Sequence, residues 1–180
     1  KPGNTIVSSC FILVRGDEKI AMGDCAINID PSEDDLVEIA IESAKTAKVF
    51  GIDPKVAMLS YSTLGSGKGP SVRKVANATK KIKEAAPDLA VEGEIQFDAS
   101  VSPDVASIKC PGSPVAGQAN TFIFPDINAG NIGYKIAQRL GNFEAYGPIL
   151  LGLNAPINDL SRGCNASEVY SMAIITAALA

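Results

Sequence analysis

The chain has no histidine and no tryptophan among its 180 residues. Without an imidazole it cannot build a Ser-His-Asp triad, a Cys-His pair or a His-ligated metal site from its own side chains. Proton transfer then falls to a carboxylate, a lysine, a tyrosine, a thiol or a group on the substrate. Cysteines stand at positions 10, 25, 110 and 164 with no C-x-x-C spacing. They read as free thiols of a reducing compartment, and no metal site is expected. The positive surplus that general nucleic-acid binding needs is also missing, since the net charge is −4. No apolar run reaches membrane-spanning length, and the start has no signal-peptide architecture. Neither a nucleic acid nor a membrane is therefore expected as partner. The first residue is Lys1, so a processed or truncated product is expected.

What is present is an ordinary folded chain, 46% hydrophobic and 20% charged, long enough for one domain with a core or for one domain and part of a second. Residues 7–14 and 20–27 are apolar and β-favouring. Between them, Arg15-Gly16-Asp17-Glu18-Lys19 reads as a hairpin turn. Ser32 with its acidic followers caps a helix whose apolar positions are Leu36, Ile39, Ala40, Ala44 and Ala47. That helix ends at Gly51. Residues 56–60 form a short, continuously apolar strand of the kind buried on both faces of a parallel sheet. A Gly/Ser loop leads from there to a basic helix over 72–86. Strands are further predicted at 90–97, 120–124 and 148–151, and helices at 103–109, 131–140 and 166–180. Strands alternating with helices imply an α/β fold, a three-layer sandwich with a mainly parallel sheet.

The loop Gly65-Ser66-Gly67-Lys68-Gly69 superficially suggests phosphate binding. A Walker A loop needs a glycine where this chain has Ser62 and a hydroxyl residue where it has Gly69. What remains is a strand-to-helix loop at the ligand-facing end of a parallel sheet, where Lys68 can attract a phosphate and Ser62 can line the crevice. Asp126, Asn128 and Asn131 follow a buried strand. Asx residues there close turns and cap the next helix, with Asn131 opening it, and ligand contact is a secondary role.

Near the C-terminus, Asn158-Asp159-Leu160-Ser161-Arg162-Gly163 places a hydroxyl beside a guanidinium just before a helix. Arg162 offers a planar fork of donors suited to phosphate or carboxylate. Ser161 adds an adjustable donor and acceptor. Asn165-Ala166-Ser167-Glu168 has the form of a capping box, and that role alone would explain Glu168. In a chain without histidine, Glu168 is equally a candidate base. Cys164 reads as a small buried residue, not a nucleophile.

Taken with Leu59-Ser60-Tyr61-Ser62-Thr63, with Ser113-Pro114-Val115-Ala116-Gly117 and with the run from Phe122 to Asn131, the Asn158–Gly163 segment resembles the phosphate acetyltransferase family. The resemblance covers nearly all 180 residues and is strongest from Val56 onward. It implies the fold shared with isocitrate and isopropylmalate dehydrogenases. Residues 1–150 would be the second domain, and 151–180 the segment returning to the first. It also implies acetyl transfer between acetyl-CoA and phosphate, giving acetyl phosphate and CoA. Coenzyme A would serve as substrate, with no tightly bound cofactor.

By the same resemblance Ser161, Arg162 and Glu168 would be catalytic, with Asn128, Asn131, Ser62 and Lys68 in contact with substrate. A homodimer in the cytoplasm is implied. Glu stands where the family often has Asp, which lengthens the reach to the thiol by one methylene. Two alternatives stay open: a non-catalytic regulatory or dimerisation module of the kind fused to malic enzymes, and a phosphate butyryltransferase. Family members carry a further N-terminal stretch with active-site arginines. The 180-residue chain alone is therefore expected to turn over little acetyl phosphate, as a coupled assay on material of confirmed mass would show. Robust turnover would instead mean that Arg15, Arg73 or Arg139 supplies the charge.

Overall fold

The computed structural model describes residues 1–160 and 162–180. Strands β1 (Ser8–Arg15) and β2 (Glu18–Gly23) form an antiparallel hairpin closed through Gly16 and Asp17. Helix α1 (Glu33–Val49) follows. Its N-terminus carries a full capping box, in which the Ser32 hydroxyl accepts from the Asp35 N–H and the Asp35 carboxylate accepts from the Ser32 N–H. Such a cap contributes about 1 kcal/mol. Next come β3 (Lys55–Leu59), α2 (Pro70–Ala85), β4 (Ala90–Ile95) and the short helices α3 (Phe97–Val101) and α4 (Pro103–Lys109). The chain closes with β5 (Thr121–Ile123), α5 (Ile127–Arg139), β6 (Glu144–Leu151) and α6 (Ala166–Ala178).

These strands make one six-stranded sheet in the order β4-β3-β5-β2-β1-β6. The pairs β3–β4, β3–β5 and β2–β5 are parallel, whereas β1–β2 and β1–β6 are antiparallel. Helices cover both faces. Leu36, Ile39, Ala40 and Ala44 of α1 pack with Val75, Ala78 and Ile82 of α2 against Val56, Met58 and Ile123. On the opposite face Ala99, Ala129, Tyr134 and Ala137 of α3 and α5 pack against Phe11, Leu13, Met22 and Phe122. The expected α/β sandwich is present, and the sheet is mixed and mostly parallel.

Three elements depart from the sequence reading. Helix α5 begins at Ile127, not Asn131: the Asp126 carboxylate caps it by accepting from the Ala129 N–H at 3.0 Å. Asn128, Gly130 and Asn131 are weak helix formers, which hid the first turn. Tertiary packing overrides that weakness at Gly130, where α5 lies directly on the backbone of Asp24 and Cys25. Helix α3 lies where the sequence suggested the end of a strand. Strand β6 starts four residues earlier than expected, because Gly147-Pro148 interrupts its alternation. These two residues sit opposite the single residue Phe11, a β-bulge between the Cys10↔Ile149 and Ile12↔Tyr146 pairs. Proline is tolerated on an edge strand, where a ladder N–H is dispensable. Ala145 thus packs with the Phe11 cluster, while Ile149 and Leu151 pack with Cys10, Ile12 and Ala47 on the other face.

The loop after β2 is organised by Asp24, a buried carboxylate. It accepts from the backbone N–H groups of Ala26, Ile27 and Asn28, from the Asn28 amide, and from the Ser9 hydroxyl. The carboxylate thus has its oxygens met by protein donors from the loop itself and from β1, which ties this loop to β1.

Gly130→Ala tests the contact between this loop and α5. An added Cβ would run into the Asp24 carbonyl oxygen, with Cys25 Cα at 3.2 Å. The helix-propensity gain of about 1 kcal/mol should lose to an overpacking cost of roughly 1–3 kcal/mol. Calorimetry should show a melting temperature several degrees lower, whereas Asn128→Ala on the exposed side of the same turn should leave it level or raise it slightly. An unchanged Gly130→Ala would mean that α5 can shift off the loop.

Candidate functional site

Beyond Leu151 the chain turns at Gly152 and runs back along the outer edge of β6 before entering α6. A cavity of about 200 Å³ opens between this returning segment, α5 and the bulged stretch of β6. Its floor is apolar, made by Phe11, Leu160 and Met172. Phe11 stacks on Tyr134 with ring centroids 4.1 Å apart and planes inclined by 17°. Gly147 permits this geometry: its φ is +156°, and a Cβ there would lie 2.6 Å from the Phe11 ring. The bulge that interrupts the sequence pattern is therefore also part of the cavity wall.

The rim is polar. Lys135 and Arg139 line it from α5, Glu168 from α6 and Cys164 from the turn before α6. An adjoining hollow of about 440 Å³ is lined by Arg139, Glu144, Tyr146, Asn165, Glu168 and Ser171. Tyr146 donates to the Glu144 carboxylate at 2.6 Å, and this bond, followed by burial, raises its phenol pKa. Burial raises that of Tyr134. Both phenols are hydrogen-bond donors at neutral pH rather than bases. Lys135 and Arg139 bring positive charge to the cavity from α5, and Glu168 brings a carboxylate from α6.

Glu168 fulfils the capping box in full. Its Oε2 accepts from the Asn165 N–H at 2.8 Å, while the Asn165 Oδ1 accepts from the Glu168 N–H at 2.9 Å. The residue is half-buried and still lines both hollows. Cap and cavity wall are thus compatible roles of one side chain. Arg162 is exposed in the turn between Leu160 and Gly163, both of which line the cavity. Ser161 lies outside the described residues.

The other expected contacts lie elsewhere. Ser62 is fully buried. Its hydroxyl donates to Glu94 Oε1 at 2.9 Å and accepts from the Gly67 N–H at 2.8 Å. Glu94, itself buried, also accepts from the Gly65 N–H at 2.6 Å. Ser62 therefore shapes the loop that carries Lys68, with its hydroxyl turned inward and not toward a ligand. Lys68 is exposed, and its carbonyl accepts from the Tyr61 hydroxyl. This loop follows β3, four strands from β6, roughly 19 Å across the sheet at its usual spacing. Among the described residues, the two hollows that Glu168 lines do not include Lys68.

Asn128 is exposed in the first turn of α5. Asn131 donates to the Cys25 carbonyl at 3.1 Å and accepts from Lys135 at 2.8 Å, so it fastens α5 to the Asp24 loop and steadies a cavity lysine.

Sequence reasoning named Arg139 only as a reserve of charge and missed Lys135, Tyr134 and Tyr146. The i,i+4 spacing of Lys135 and Arg139 was a usable signal for one basic helix face. Arg15 is occupied: it bonds Glu18 and the Gly141 carbonyl and lies 4.3 Å over the Phe143 ring. Among the thiols, burial pushes Cys10 up to about 12 and raises Cys25 and Cys110. Cys164 is half-buried on the cavity and not in the core as expected. No helix among the described residues is long and apolar enough to cross a membrane.

Comparison with known proteins gives a consistent result. A phosphate acetyltransferase of Bacillus subtilis is 61% identical over 180 residues, which is 100% of this chain and 56% of that protein. A solved phosphotransacetylase from Streptococcus pyogenes superposes with a TM-score of 0.96 at 59% identity, covering 99% of this chain and 55% of that one. A branched-chain phosphotransacylase from Enterococcus faecalis shares the fold at 23% identity, with a TM-score of 0.79 over 98% of this chain and 66% of its own. The chain spans about half the length of the curated relatives it matches. Residues 1–177 match the family described as phosphate acetyl/butaryl transferase, and the chain belongs to that family.

Proposed function

We propose that this chain supplies one wall of the active site of a phosphate acetyltransferase, which transfers acetyl reversibly between coenzyme A and phosphate. The observation that carries the reading is the cavity lined together by Glu168, Lys135 and Arg139, with Leu160 and Gly163 on either side of Arg162 also in its wall. The names of the 61% and 59% identical relatives support the acetyl reading over the butyryl and regulatory alternatives.

Coenzyme A thiolate attacks the carbonyl carbon of acetyl phosphate, the C–S bond forms, and the C–O bond to phosphate breaks. Glu168 takes the thiol proton through the carboxylate oxygen that does not cap α6. Arg162 neutralises the phosphoryl oxygens, with Arg139 and Lys135 adding positive potential from α5. Ser161 hydrogen-bonds the thiol or the developing oxyanion. Holding two anionic substrates in line is the larger part of the task, since the acyl phosphate already has a good leaving group. Asn128, in the first turn of α5, and Lys68, in the loop after β3, would meet the more remote parts of the substrates.

Residues 151–180 would return to the first domain of the full-length protein. The exposed apolar row Ile132, Ile136 and Leu140 on α5 supports a homodimer. The free thiols support a cytoplasmic setting.

In the full-length enzyme, Arg162→Lys should lower turnover by roughly 100-fold or more, because a point charge cannot reproduce the bidentate fork. Its melting temperature should stay near that of the parent, given the exposed position. Near-parental turnover, or loss of the melting transition, would make Arg162 structural.

Glu168→Gln separates base from cap. The glutamine carbonyl can still accept from the Asn165 N–H, so stability should hold, but it cannot take a thiol proton. Turnover near neutral pH should fall about 100- to 10,000-fold. The deficit should shrink as pH approaches the thiol's own pKa, where coenzyme A ionises unaided. A variant with normal rates at pH 7 would leave Glu168 as a cap alone.

A further inference from the structure

We infer that Asn158 is a positioning residue for the reaction, gripping the segment that leads into Arg162 between the edge of the sheet and the helix that carries Glu168. This rests on the function proposed above. The Asn158 Oδ1 accepts from the Leu150 N–H at 2.9 Å. Its Nδ2 donates to the Thr176 Oγ1 at 2.8 Å. The Thr176 hydroxyl in turn donates to the Met172 carbonyl at 2.7 Å.

The polarity of this relay is fully determined. A backbone N–H of β6 can meet only the amide oxygen, which turns the amide NH₂ toward α6. Thr176 gives its one proton to Met172 and so has lone pairs left to accept. The amide serves both sides from separate atoms, its oxygen accepting from the strand and its nitrogen donating to the helix.

The position of the relay gives it consequence. Met172 is buried and floors the cavity, and Glu168 lies one turn before it on the same face of α6. Glu168, Met172 and Thr176 are spaced i, i+4, i+8. Asn158 holds the last of them and is four residues ahead of Arg162. One side chain thus sets the distance from the guanidinium-bearing segment to the helix with the proposed base. Misplacement of reacting groups by about 1 Å can cost on the order of 100-fold in rate.

The test uses full-length enzyme and four variants: Asn158→Ala, Thr176→Val, Thr176→Ser and the double Asn158→Ala/Thr176→Val. Asn158→Ala and Thr176→Val should each lower kcat by roughly 10- to 100-fold, with KM for acetyl phosphate and coenzyme A within about threefold of the parent. Thr176→Ser, which keeps the hydroxyl, should restore kcat to within about twofold. The double variant should lose no more than the worse single, because both remove the same link.

Parental kcat in Thr176→Val, multiplicative losses in the double variant, or a rise in KM with kcat intact would each overturn the inference. Should Asn158→Ala fail to fold, the Val and Ser variants at 176, which change little volume, decide alone. Arg162→Lys run alongside separates two failures. If it collapses while the Asn158 and Thr176 variants turn over normally, only the positioning role is wrong. If it too keeps parental turnover, the underlying function falls and the inference with it.

Discussion

Pairing of β6 with β1 carries the last fifth of the chain onto the domain. Everything placed at the candidate site hangs from that ladder. Cys10↔Ile149 and Ser8↔Leu151 anchor its upper half, and Ile12↔Tyr146 and Val14↔Glu144 its lower half. The returning segment then lies along the free edge of β6, where Asn158 takes up the Leu150 N–H that an edge strand would leave to solvent. Helix α6 covers the same edge, with Ile175 and Leu179 against the Cys10 and Ile12 cluster. A weaker β1–β6 ladder would release the cavity as a unit, because two of its walls depend on that edge.

The site divides its labour between rigid and polar parts. Stacked Phe11 and Tyr134 with buried Met172 make a fixed apolar base. Charge sits on helix faces above it, positive on α5 and negative at the start of α6. Glu168 serves two purposes because a carboxylate has two oxygens. One accepts the cap bond, which fixes χ angles that would otherwise cost entropy to order. The other can face the hollow. The family's frequent Asp has a shorter reach, so the cap bond helps set where this longer side chain ends.

Much of this was legible in the residues themselves. The Gly16-Asp17 turn, the Ser32 capping box, the Asn165–Glu168 box and the two-sided burial of β3 all follow from local chemistry, and local chemistry is what a linear sequence records. The cavity was not legible, since its lining comes from β1, α5, β6 and α6, brought together only by long-range pairing. The surroundings of Asn131 and Ser62 were not legible for a related reason. Each has a side chain suited to a ligand, yet in the fold each bonds to protein groups distant in sequence, Cys25 in one case and Glu94 in the other. The start of α5 was hidden because contact with Asp24 demands glycine where helix propensity disfavours it.

The bulge at Gly147-Pro148 has a consequence for how the family can change over time. In a regular strand Ala145, Ile149 and Leu151 would share a face, but here Ala145 packs on one side of the sheet and the other two on the opposite side. The extra residue acts as a parity switch. Removing one residue at 147 or 148 would restore a regular ladder with these faces unchanged, whereas an insertion or deletion elsewhere in the strand would turn the side chains beyond it to the other face. Apart from Gly147, where a side chain would meet the Phe11 ring, substitutions along this strand cost their own packing, whereas a one-residue insertion or deletion outside the bulge displaces everything that follows it. Variation in length among descendants of this chain should therefore collect in the loops around 110–118 and 152–157 and, within 144–151, at the bulge alone.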